Sequence, residues 1–189
     1  SQRAIAESGE LGTGYVSRIC RRLEQDGLVE RNSARELRPR DPKLLLRAWE
    51  AEYRFGMHEI RRGHVSARSG EELAQRVSDV LRERGTRHAL TGLPAAWRMA
   101  PFAAFRLVAV YIADRLDDSL LSALSWHEES AGANLWLVRP KDAGVLQGSS
   151  DIGGMRCVCA VQAYLDLQGM PERSQEAADQ VRKQLLPWA

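Results

Sequence analysis

Lysine is scarce in this 189-residue chain: Lys43, Lys141 and Lys183 are the three among 27 basic residues. Such a bias follows from GC-rich coding and argues nothing about nucleic acid. Cysteine is scarcer than any disulfide framework requires. Cys20, Cys157 and Cys159 are odd in number and widely spread, which fits a reducing cytoplasm and predicts a cytoplasmic protein. No apolar run approaches the roughly 18–20 residues that cross a bilayer, and no secretory leader is visible, so no membrane partner is expected. The chain starts at Ser1 rather than Met, the start expected of a trimmed protein. Internal repeats, low-complexity tracts, a Gly-Lys-Ser phosphate loop and a Gly-x-Ser-x-Gly elbow are all lacking.

Net charge is also slight, +2 in all. Its distribution is uneven. Residues 1–40 hold eight arginines against six acids, and the remainder balances 19 against 19, so the whole excess sits at the N-terminal end. Binding a polyanion needs local rather than global positive charge. With 44% hydrophobic and 28% charged residues the composition is that of an ordinary globular protein of one or two domains.

The first forty residues carry the most pattern. Ser1–Ser8 reads as a short helix, broken at Gly9. From Thr13 to Asp26, Val16, Ile19, Cys20 and Leu23 fall at i, i+3, i+4 and i+7, one face of a helix. The other face offers Thr13, Gly14, Ser17, Arg18, Arg21 and Arg22. Gly27 is placed for a left-handed C-terminal cap. Leu28–Arg31 alternates as a strand, and a polar stretch from Asn32 to Arg40 follows. Helix, tight turn, second helix, strand and basic turn is the order of a winged helix-turn-helix over residues 1–41. In that arrangement Leu11 and Val16 point inward and the second helix presents its N-terminal half to the major groove. Thr13, Gly14, Tyr15, Ser17 and Arg18 are the expected contacts to bases or nearby phosphates. Arg21 and Arg22 are expected at phosphates, and the wing residues Arg31, Asn32, Arg35 and Arg38 at the flanking backbone or minor groove. A three-helix core needs one more helix, supplied either upstream of Ser1 or by a neighbouring segment.

Residues 42–189 read as a second, mixed α/β domain, so the fold class expected for the chain is α/β (α+β). Helices are expected at 43–55, from Ser69 (as cap) to Gly85 with Leu73, Val77, Val80 and Leu81 inward, at 93–97, at 117–124 and at 172–186. Strands are expected at 58–67, 88–91, 105–112, 134–138 and 155–160, with 148–154 a loop and His127-Glu128-Glu129 an exposed turn.

Catalytic patterns are weak. Gly148-Ser149-Ser150-Asp151 lacks the two downstream carboxylates of a nucleotidyltransferase, and Asp117-Asp118 lacks the upstream Gly-Ser. Cys157 and Cys159 share a strand face without a second ligand pair and read as small buried hydrophobes. His58, His64, His88 and His127 stand apart from one another, and Trp97, Trp126 and Trp136 read as core anchors. No enzyme, metal or cofactor is expected. Three alternatives remain: a DNA-binding regulator, a degenerate nucleotidyltransferase-like enzyme, and a regulator whose larger domain senses a ligand or protein.

Two sets of motifs resemble a known family. Gln2-Arg3-Ala4-Ile5-Ala6, Gly14-Tyr15-Val16-Ser17-Arg18, Arg22-Leu23-Glu24 and Gly27-Leu28-Val29 resemble the winged-helix half of bacterial transcriptional regulators. Ala89-Leu90-Thr91-Gly92-Leu93, Gly132 through Val138, Val161 through Leu167 and Pro171-Glu172-Arg173 resemble the C-terminal domain of AbiEi-type antitoxins. The resemblance implies a type IV toxin–antitoxin component that represses its own promoter on double-stranded DNA. It also implies action against a nucleotidyltransferase toxin without a stable complex.

Overall fold

A computed structural model describes residues 2–9 and 11–188, so the expected helix start at Ser1 lies outside the described residues. The protein is mixed α/β and divides into two compact units, one of residues 2–53 with Trp188 and one of Arg54–Pro187. The division falls after the helix at 42–52, which sequence placed in the larger domain.

The first unit contains α1 (Gln2–Ser8), α2 (Thr13–Gln25), the antiparallel strands β1 (Val29–Arg31) and β2 (Leu37–Pro39), and α3 (Pro42–Glu52). Ala6, Val16 and Cys20 form its small core, with Leu37 packed against it. The expected inward positions are only partly so. Ile19 is 41% exposed and Leu11 45% exposed, because the three small core residues leave no depth to bury them. Helix α2 ends as its sequence predicts. Gly27 adopts φ +71°, its N–H reaches Glu24 O at 3.1 Å, and Leu28 N–H reaches Leu23 O at 2.9 Å, satisfying two otherwise orphaned carbonyls. Asp41 caps α3 by accepting from Lys43 N–H, and Pro42 occupies the first helical turn, where its missing N–H costs nothing.

The second unit is built on a seven-stranded mixed sheet in the order β6 (His127–Glu128), β3 (Glu59–His64), β7 (Leu135–Arg139), β5 (Val108–Ile112), β4 (His88–Thr91), β9 (Met155–Cys157) and β8 (Ser150–Ile152). β5 runs parallel to β7, and β4 parallel to β9; the other pairings are antiparallel. Every residue of β4 and β5 is buried, so both faces of the central sheet are covered, as a continuous β-branched run demands. α4 (Gly70–Glu83) packs on β4, β5 and β9 through Leu73, Ala74, Val77 and Leu81, capped by Ser69 Oγ accepting from Glu72 N–H at 3.1 Å. α5 (Gly92–Met99), α7 (Ala160–Leu167) and α8 (Ser174–Leu185) pack on one another, and α6 (Asp118–Ala123) precedes β6. Gly92 opens α5 at φ +61°, and a Cβ there would lie 2.2 Å from Met170 Sδ, so any other residue would be strained and would have to displace Met170.

Several expectations are corrected. Residues 150–152 of the expected loop are a strand, paired with β9 around the Gly153-Gly154 turn. His127 and Glu128 form an edge strand against Gly63 and His64 rather than a free turn, which also sets His64 opposite His127. α8 begins at Ser174, since Glu172 sits at φ +62° and its carboxylate accepts from the backbone N–H groups of Arg106 and Leu107. The strand at 155–160 stops at Cys157, and Cys159 is the extended residue before α7, so the two thiols do not share a strand face.

Candidate nucleic-acid interface

Burial of Val16 and Cys20 turns the opposite side of α2 outward. Thr13, Gly14, Tyr15, Arg18, Arg21, Arg22 and Gln25 are all exposed, Ser17 half-exposed. Gly14, Arg18, Arg21 and Gln25, spaced by three and four, form one continuous outer stripe. A Cβ on Gly14 would meet nothing within 4 Å, so the backbone there is open to close approach by another molecule. Arg18 makes no hydrogen bond or ion pair among the described residues. Arg21 Nε donates weakly to Ser17 O at 3.4 Å, and Arg22 lies 3.7 Å from Asp26, contacts that solvent and a stronger anion readily replace. No residue of the stripe is acidic.

The hairpin is different. Arg31 Nε pairs with Glu24 at 2.6 Å and its Nη1 donates to Arg35 O at 3.3 Å, tying β1 to α2. Arg38 donates twice to Glu30, at 2.9 and 2.5 Å. Asn32 Oδ1 accepts from Glu36 N–H at 2.8 Å and its Nδ2 donates to the Glu36 carboxylate, closing the turn in which Arg35 takes φ +59°. Of the four wing residues expected at DNA, three are thus occupied in building the wing. The Arg35 side chain has no partner among the described residues, and neither does that of exposed Arg40. The structure therefore brings Gly14, Arg18, Arg21 and Arg22 together, and adds Gln25, legible in hindsight as the i+7 partner of Arg18.

The second unit holds a polar centre that sequence reasoning passed over. Asp166 is fully buried, and its carboxylate accepts from Thr91 Oγ1, from Tyr111 Oη at 3.0 Å and from Gln162 Nε2 at 2.8 Å. His58 packs edge-on against Tyr111 at 5.2 Å, and its Nδ1 accepts from Lys141 N–H at 3.1 Å; burial holds its pKa below the ordinary range. Three donors on one carboxylate satisfy a group whose burial would otherwise be costly. Asp166 does not line the clefts described below. Cys157, pushed up to about 12 by burial, stays a thiol and packs as the small hydrophobe expected.

Among the described residues no group of three or more His, Cys, Asp or Glu side chains is arranged to hold a metal. A cleft of about 500 Å³ is lined by His64, Arg68, Ser69, Arg106, Asn134 and Glu172 among others. Asn134 is fixed in both directions to the Val65 backbone, at 2.9 and 2.8 Å, and Glu172 holds the 106–107 backbone, so its wall is rigid. Glu172 is the acid of this lining, and it is not matched by a second carboxylate. Among the described residues no helix is long and apolar enough to cross a membrane.

Together these features define a mixed α/β protein whose smaller unit presents an exposed, weakly engaged basic helix face beside a hairpin braced by ion pairs. No family model, curated protein or solved structure is matched by the chain.

Proposed function

We propose that the chain is a sequence-specific DNA-binding transcriptional regulator, its first unit acting as a winged helix-turn-helix. The observation that carries the reading is the outer stripe of α2, Gly14, Arg18, Arg21 and Gln25, exposed opposite buried Val16 and Cys20. Helix α2 is 13 residues long, enough to lie in a major groove about 12 Å wide. The open backbone at Gly14 permits approach to base edges, Arg18 is free for a bidentate contact to guanine, and Arg21 and Arg22 supply phosphate contacts. The wing is held by its own ion pairs, so its contribution to DNA falls to Arg35 and Arg40 rather than to Arg31 and Arg38.

The resemblance of the C-terminal motifs to AbiEi-type antitoxins supports a more specific role, that of an autorepressor opposing a nucleotidyltransferase toxin. Co-expression with a nucleotidyltransferase encoded beside it tests that role, rescue of growth being the expected result. The DNA reading is tested by gel shift on the protein's own promoter. Arg18→Ala is expected to cost about 1–3 kcal/mol on the preferred site and to relax its sequence preference. Equal binding of preferred and scrambled duplexes by the unaltered protein would refute sequence-specific recognition.

A further inference from the structure

Seven of the ten large hydrophobic side chains exposed among the described residues, Ile5, Leu11, Tyr15, Ile19, Leu44, Trp49 and Trp188, lie in the first unit. A contiguous exposed apolar patch marks a binding surface, and Ile19 and Trp49 share one. Part of it is concave. Between α2 and α3 runs a groove of about 430 Å³ whose apolar walls include Ile19, Leu23, Leu28, Leu45, Ala48 and Trp49. That volume falls within the range of small-molecule sites, roughly 300–1,000 Å³.

The charges at its rim are Arg22, Asp26 and Glu52. Arg22 and Asp26, 3.7 Å apart in a weak pair, balance in charge, whereas Glu52 has no ion pair or hydrogen bond among the described residues. The groove therefore has a net negative rim above an apolar floor, with Trp49, itself 47% exposed, on one wall. An exposed indole face attracts a cation through its quadrupole, and a free carboxylate adds to that attraction. We propose that this groove binds a small organic cation with an apolar body. An anion would meet Glu52, and a neutral apolar ligand would gain nothing from it. The argument stands on the groove alone and does not depend on DNA binding.

The test is calorimetric titration of the full chain with tetraphenylphosphonium, and with tetraphenylborate as a probe of the same shape and opposite charge. Saturable one-site binding of the phosphonium, several-fold tighter than the borate, is expected. Trp49→Ala and Glu52→Gln, both at exposed positions, are each expected to weaken phosphonium binding about twofold to fivefold. Absence of saturable phosphonium binding, equal affinity for the two probes, or variants that bind as the parent does would overturn the proposal. So would a solution mass of two chains that Trp49→Ala returns to one, which assigns the groove to a second copy.

Discussion

The two units of this protein solve the problem of stability in opposite ways. The Arg54–Pro187 unit buries both faces of its central strands and satisfies the buried Asp166 carboxylate with hydrogen bonds from Thr91, Tyr111 and Gln162. The first unit buries Ala6, Val16, Cys20 and Leu46 and leaves larger hydrophobics, Ile5, Leu11, Ile19 and Trp49, in contact with solvent. Hydrophobic stabilisation scales with apolar area removed from water, so the second unit has the larger reserve. The first relies on caps, such as Gly27 and Asp41, and on ion pairs such as Glu24–Arg31. What the smaller unit leaves unburied is the surface on which both proposed contacts rest.

The contrast can be broken most forcefully at Asp166. Asp166→Ala removes an acceptor from Thr91, Tyr111 and Gln162 and opens a void, and is expected to cost about 3–5 kcal/mol in urea unfolding. Asp166→Asn, which keeps an acceptor oxygen, is expected to lose less. Equal losses would mean that shape rather than hydrogen bonding matters at this position.

A like-for-like comparison comes next. Leu137 is fully buried in β7 and Leu46 is 5% exposed in α3. Leu137→Ala is expected to cost about 2–5 kcal/mol, with Leu46→Ala at or below the lower end, because a thin core relaxes into the space vacated. A Leu46 loss as large as that of Leu137 would show the first unit to be as tightly packed as the second.

The smallest effect is one of pH. Burial lowers the pKa of both His58 and His88 from the ordinary 6.5. The unfolded chain therefore takes up protons before the folded one as pH falls. Stability is complete above about 6.5 and declines as pH drops from there toward the lowered folded values. His58→Gln is expected to remove part of that slope, leaving the part due to His88, whereas an unchanged slope would exclude His58 as a contributor. The first unit contains no histidine, so this dependence belongs to the second.

What the sequence made legible was local. The face of α2, the Gly27 cap and the Ser69 cap each depend on residues within one or two turns of one another, and each stands where periodicity and capping preference put it. What it hid was non-local or short. β6 and β8, of two and three residues, are defined by their partners rather than by any run of their own. Thr91 and Asp166 meet across 75 residues. At the candidate site the apolar periodicity found the helix and its basic face, but it also counted Ile19 and Leu11 as inward. Spacing cannot say how much core is available to receive a side chain. The ion pairs of the wing were hidden for a related reason: sequence shows Arg31 and Arg38 as cations but not Glu24 and Glu30 beside them.

The account's central claim, that the outer stripe of α2 is a DNA-binding face, is tested most directly by the salt dependence of duplex binding. The affinity of the full chain should fall linearly in log–log form with salt, with a slope near −0.9 for each phosphate contact. Arg21→Gln and Arg22→Gln should each flatten it by about one unit, and Arg31→Gln should leave it nearly unchanged. A slope that the α2 variants leave intact, or one flattened by Arg31→Gln instead, would contradict the claim.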